Sequence, residues 1–442
     1  MQRKAGRRTA EEMDRRQFLR RAVVGGMSLS GAAAVLAACS RSAPGTTGAP
    51  SSLGARGVWP IHDDNPVIES GRPVERGATL RIYEWRDYLA DNVLEAFERR
   101  YRADDVRLEV ESFLHMEEAI ARLRRPDADF DIFFPTIDAI GGLVDARVLR
   151  PLNHDYLPNV RNLWPAFRGS ENPFYDRGQR YTVPYTTYSS GIGWRRDLLA
   201  AGDAPDAQSD PFGVLWNPRY RERVGVYDNY REAMALGLLH RGETDLRDAG
   251  SSSVRGAADD LIRLIRSGGM LTLEGAYEGL PDGEFAAHQA WSGDLISAAR
   301  YERRSPTEAA GALGFVHPPG GVVGCDLTAV CARGRNPVLA HAFVDHLLDF
   351  DVAMDNFAWN GYQPPLRNAT REAFDDPDFR WNRIVPDTLL DAIVTPEQFH
   401  AGTVLQLDAG EESRWTQQWN RVRAAAASAG SIAENSGGNA EY

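Results

Sequence analysis

The feature that most constrains this chain is an alternation. From residue 79 onward, short apolar runs rich in β-branched and aromatic residues take turns with amphipathic stretches. "TLRIYEW" (79–85) reads as a strand and "NVLEAFERRY" (92–101) as a helix. "VRLEVESF" (106–113) is a strand, "EEAIARLRR" (117–125) a helix, "FDIFFP" (130–135) a buried strand and "DAIGGLVDARVL" (138–149) a helix. Strands alternating with helices of about ten residues predict parallel βαβ units. Ligands of such sheets sit beyond the carboxyl ends of the strands. Trp85 and Tyr88 follow one such end, and Thr136 and Asp138 another. At 181–194, "YTVPYTTYSSGIGW", the pattern gives way to a long extended segment full of Tyr, Thr and Ser. "GFVHPPGGVVGCDLTAVCA" (314–332) is extended again. The two read as crossings between two α/β lobes, a hinged clamshell in which each lobe is a mainly parallel sheet flanked by helices. Lobe 1 is expected over 78–188 and 325–371, lobe 2 over 189–324 and 372–427, with no internal repeat.

Residues 1–38 do not belong to this pattern. "DRRQFLRR" (14–21) carries the paired arginines of a twin-arginine export signal, and an apolar run of small residues ends in "LAAC" at Cys39. That box resembles the bacterial lipoprotein signal, in which the cysteine is lipidated and becomes the new N-terminus. An exported protein anchored to the outer face of the cytoplasmic membrane is the expectation. Residues 39–77 read as a Ser/Gly/Pro-rich tether and 428–442 as a disordered tail. The formal net charge is −12; removing 1–38 takes five net positive charges with it and leaves −17. An acidic exported part argues against nucleic acid and suits a cationic partner. Three cysteines exclude a disulfide framework, and Cys325 and Cys331 are too far apart along a strand to bridge each other. No nucleophile elbow, phosphate-binding glycine loop or HExxH motif points to an enzyme. His341 and His346 miss the i,i+4 spacing of a helical metal pair, so neither a metal nor a cofactor is expected.

Several short motifs in fixed order then carry a resemblance. They are Trp85-x-Asp87-Tyr88, "FDIFFPT" (130–136), "YTVPY" with "GIGW" (181–194), "YDNYRE" (227–232), "WSGD" (291–294), "GGVVGCD" (320–326) and "NGYQPP" (360–365). From about residue 79 to 423 the chain resembles the spermidine/putrescine-binding proteins of bacterial ABC importers. The resemblance implies a type II periplasmic-binding-protein fold. It also implies a monomeric, non-enzymatic receptor that hands an amine cation to a membrane permease. A ferric-ion-binding protein of the same architecture is the alternative; it would want adjacent tyrosines, and no Tyr-Tyr pair occurs.

By motif, the resemblance assigns ligand contacts to Trp85, Asp87, Tyr88, Thr136, Asp138, Asn229, Glu232, Trp291, Asp326, Tyr362 and Gln406. Aromatic faces suit the methylenes of a polyamine, and carboxylates suit its ammonium groups. Asp326 is the most telling acid, because strands disfavour aspartate. Glu232 also fits a helix start, and Asp138 a helix cap. Asp294 reads as an exposed turn residue. Three positions depart from the spermidine pattern. Arg86 replaces a small hydroxyl residue, Asn229 replaces an aspartate, and Gly324 stands where a second tryptophan is expected.

Overall fold

The computed structural model describes residues 57–169, 173–208, 211–272, 275–301 and 312–432. The export signal, Cys39 and the first part of the tether lie outside the described residues. Among the described residues, ten strands carry the architecture: β1 (Thr79–Trp85), β2 (Arg107–Phe113), β3 (Ile132–Phe133), β4 (Leu149–Arg150), β5 (Thr182–Arg195), β6 (Val224–Tyr227), β7 (Met270–Thr272), β8 (Ala287–Trp291), β9 (Leu313–Val316) and β10 (Val323–Cys331). Five helices matter for the site: α1 (Asp91–Arg100), α2 (Tyr230–His240), α3 (Ser292–Tyr301), α4 (Phe350–Asn360) and α5 (Ala409–Ala429).

The strands run in the order β2-β1-β3-β10-β5-β8-β6-β7, with β4 on β10 and β9 on β5. β1 lies parallel to β2 and β3, and β6 lies parallel to β7 and β8. These are the parallel cores of the two lobes. Their local cause is visible in α1, which buries Val93 and Phe97, one helical turn apart. It also carries Asp91 in its first turn and Arg99 and Arg100 in its last, matching the helix dipole.

The lobes are joined by strands rather than by loops. The first part of β5 pairs antiparallel with β10, from Thr182 opposite Ala329 to Ser189 opposite Val323. The remainder pairs with β8, from Ser190 opposite Trp291 to Trp194 opposite Ala287, and with β9 on its other side. One continuous strand of 14 residues therefore belongs to both sheets. The chain returns through the segment between β9 and β10. Both extended segments are thus crossings, and each lobe has an antiparallel inner edge on its parallel core.

Two expectations about flanking segments need correction. The second half of the tether is folded onto lobe 1: Trp59 and Ile68 are buried, Trp59 donates to the Tyr175 carbonyl at 2.8 Å, and the Asn65 amide donates to the Leu149 carbonyl at 2.7 Å. Apolar residues spaced without period gave no sign of this. At the other end α5 continues to Ala429, and Ile432 forms a parallel bridge with Leu271, so the tail cannot begin at 428. α5 packs along the 251–266 helix of lobe 2, burying Trp415, Trp419 and Val422. His341 and His346 are structural: His341 accepts from the Asn153 amide at 3.0 Å and His346 contacts the Val93 carbonyl at 3.1 Å. Cys325 and Cys331 are buried free thiols. Among the described residues, no helix is long and apolar enough to cross a membrane.

Candidate ligand-binding site

Side chains alternate along a strand, so Thr186, Tyr188 and Ser190 share one face of β5 where it passes from lobe to lobe. Asp326 stands opposite Thr186, Gly324 opposite Tyr188, and Trp291 opposite Ser190. The hinge strand therefore displays an acid at one end, an aromatic ring in the middle, and a tryptophan with a second acid at the other end.

At the lobe 1 end, the Tyr88 hydroxyl donates to Asp326 Oδ2 at 2.5 Å and lies 2.6 Å from Thr186 Oγ1. Thr136 forms an isolated bridge with Asp326, which brings the end of β3 to the same acid. Asp326 is 8% exposed. Burial pushes its carboxyl up to about 7, the Tyr88 hydrogen bond pulls it down, and the nearby negative charge of Asp138 raises it further.

At the lobe 2 end, Glu232 sits in the first turn of α2 and is 6% exposed. Its Oε2 accepts from Ser190 Oγ at 2.6 Å. Burial raises its pKa, while Ser190, the Trp291 indole and the Arg231 charge lower it. The indole N–H turns toward the carboxylate but falls outside hydrogen-bond geometry. Asn229 caps the helix: its Oδ1 accepts from the amides of Arg231 at 3.1 Å and Glu232 at 3.2 Å. Among the described residues, neither Asp326 nor Glu232 makes an ion pair.

A third acid joins them. Asp294, in the first turn of α3, accepts from the hydroxyls of Tyr227 and Tyr362, each at 2.7 Å. It is half-buried, which corrects its reading as an exposed turn residue. Tyr362 reaches it because Gly361, at φ +76°, ends α4 in a left-handed conformation that glycine adopts without strain. Trp291 stacks on Tyr227 at 4.3 Å. Tyr188 stands edge-on to Trp291 and to Tyr362, and Tyr362 edge-on to Tyr88.

The structure thus brings Tyr88, Thr136, Glu232, Trp291, Asp326 and Tyr362 together. Other expected positions differ in what they touch. Trp85 closes β1 half-buried, with its ring tilted against Phe113 at 4.5 Å. Arg86 and Asp87 are exposed on the turn that follows, where Asp87 takes a left-handed φ of +59°. Asp138 pairs with Arg231 at 3.1 Å, and Arg231 also contacts Glu412 on α5. This is an ion pair from lobe 1 to lobe 2, so Asp138 spends its charge on the protein. Asn229 spends its carbonyl oxygen on the cap. Gln406 is buried before α5, and among the described residues no hydrogen bond joins its amide to the cluster. Sequence reasoning missed Thr186, Tyr188 and Ser190. The signal was their spacing of two in the crossing strand.

Two α/β lobes on crossing strands, with buried acids and rings converging on the hinge from both sides, define a hinged solute-binding protein. The chain belongs to the bacterial extracellular solute-binding protein family, which it matches over residues 92–380. It is 23% identical over 335 residues to spermidine/putrescine-binding periplasmic protein 1 of Haemophilus influenzae, covering 73% of this chain and 88% of the relative. It is 24% identical over 326 residues to the putrescine/cadaverine-binding protein of Pseudomonas aeruginosa, covering 72% and 87%. The crystal structure of the spermidine/putrescine ABC transporter substrate-binding protein of Streptococcus pneumoniae superposes with a TM-score of 0.64 at 19% identity. That match covers 79% of this chain and 99% of the other, and it shows the shared fold.

Proposed function

We propose that this protein is the receptor of an ABC importer and captures a polyamine or related amine cation outside the cytoplasmic membrane. One observation carries the reading. Asp326 from lobe 1 and Glu232 from lobe 2 are both buried, both hydrogen-bonded through hydroxyls, and both free of ion pairs among the described residues, with aromatic rings between them. A buried carboxylate is costly without a positive partner. An ammonium group at each end of an apolar chain would supply that partner, and each ring face adds about 0.5–2 kcal/mol. The polyamines named for the relatives support the same reading.

The cycle is physical, and no covalent bond forms or breaks. A cation held by Asp326 on one lobe and Glu232 on the other binds the closed form better than the open form, and that difference shifts the population toward closure. The permease reads the closed form. The twin arginines and "LAAC" support export followed by lipid attachment at Cys39, with a monomeric receptor held near its permease. Calorimetric titration with putrescine, cadaverine, spermidine and agmatine tests the proposal. Heat and a rise in melting temperature with at least one amine are expected. No heat and no melting shift with any of them would sink it.

A further inference from the structure

We infer that Tyr188 sets the length of the ligand and restricts the site to α,ω-diamines of four or five methylenes. This rests on the amine reading above and adds a residue and a size to it. Register fixes the ring's place, since Tyr188 on β5 faces Gly324 on β10. A Cβ added at Gly324 would lie 2.2 Å from Cζ and 2.3 Å from Oη of Tyr188. The ring therefore occupies the space above the glycine, and a larger side chain at 324 would have to displace it. The aromatic face that the family pattern draws from position 324 comes here from the opposite strand.

The same strand supplies a ruler. Thr186 marks the Asp326 end and Ser190 the Glu232 end. Four residues of extended strand span about 13 Å. An ammonium sits about 2.8 Å from its carboxylate at each end, which leaves about 7–8 Å between the two nitrogens. An extended chain advances about 1.25 Å per bond from its bond lengths. Four methylenes then separate the nitrogens by about 6 Å, five by about 7.5 Å, and the ends of spermidine by about 11 Å. The short diamines fit, with Tyr188 against their methylenes midway. Spermidine overshoots, and its central amine meets the ring instead of an acid.

The test is calorimetry with diamines of three to eight methylenes and spermidine, on the full protein and on Y188F, Y188L and the exchange variant Y188G/G324W. The full protein is expected to bind the four- or five-carbon diamine best, with spermidine at least about tenfold weaker. Y188F should keep that ranking, because the ring acts as the spacer. Y188L should weaken the best diamine about tenfold and flatten the ranking. Y188G/G324W returns a ring from the other strand and should recover binding with a shifted length optimum. A full protein that prefers spermidine, a Y188L that keeps the original optimum and ratios, or a Y188F that loses them overturns the inference. Absence of binding to every amine by the full protein would instead sink the reading on which it rests. Thermal unfolding of each variant separates altered recognition from altered folding.

Discussion

The two ends of the site solve one problem differently. Glu232 in lobe 2 opens a capped helix, takes a hydroxyl hydrogen bond from Ser190, and feels the Arg231 charge and the Trp291 indole. The last three favour its ionised form, but burial outweighs them and its pKa is raised. Asp326 in lobe 1 sits in a strand with one hydroxyl donor pulling it down, while burial and Asp138 push it up to about 7. Burial raises both carboxyls, but three groups oppose the shift at Glu232 and only one at Asp326. Binding should therefore depend on pH, with Asp326 titrating close to neutrality.

The largest effect that could break this comparison comes from removing the charges. Asp326→Asn and Glu232→Gln keep the size and polarity of each side chain but remove its attraction for ammonium. Each should weaken amine binding by roughly 2–5 kcal/mol, and the double variant should bind below calorimetric detection while remaining folded. If either single change leaves affinity within twofold, that end is not an anchor.

A smaller effect sharpens the difference between the ends. The carboxyl of Asp326 is raised from its ordinary 3.8 to about 7, so the folded protein holds a proton that the unfolded chain releases. Its contribution to the stability of the ligand-free protein is full below about pH 4 and is lost as pH rises through about 7. An ammonium needs the ionised form. Affinity should therefore climb about tenfold per pH unit up to about 7 and level off above it. Titration in buffers of different ionisation heat should show proton release on binding near pH 6.5. Asp326→Asn should flatten the profile near neutral pH. The same slope in Asp326→Asn would end the comparison.

The smallest effect concerns closure. The Asp138–Arg231 pair joins the lobes but is partly exposed, with side chains 30% and 25% accessible. Such pairs are worth about 0.2–1 kcal/mol and are screened by salt. Asp138→Ala should weaken binding only about two- to fivefold. Small-angle scattering should show a larger radius for the ligand-free variant than for the parent at low salt, with the gap closing at high salt. An unchanged radius would remove Asp138 from the closing contact.

Much of the fold was legible because alternation and strand-ending motifs are local properties of sequence. The α/β lobes, the two crossings, and Tyr88, Glu232, Trp291, Asp326 and Tyr362 all follow from short motifs whose order the chain preserves. The rest depended on what lies beside each motif. Asp294 looked like a turn residue because nothing local reveals that hydroxyls from β6 and from the turn after α4 converge on it. Asp138 looked like a ligand contact because its partner Arg231 is far away in sequence. Arg86, whose charge conflicts with an amine, lies exposed on a turn whose direction depends on the left-handed Asp87. The stretch "TTYSS" by itself determines that Thr186, Tyr188 and Ser190 share one face. Which face that is, and that Tyr188 lies over Gly324 where a ring seemed to be missing, only the register of β5 against β10 decides. Register is a long-range choice made by packing both lobes at once, and no window of sequence contains it.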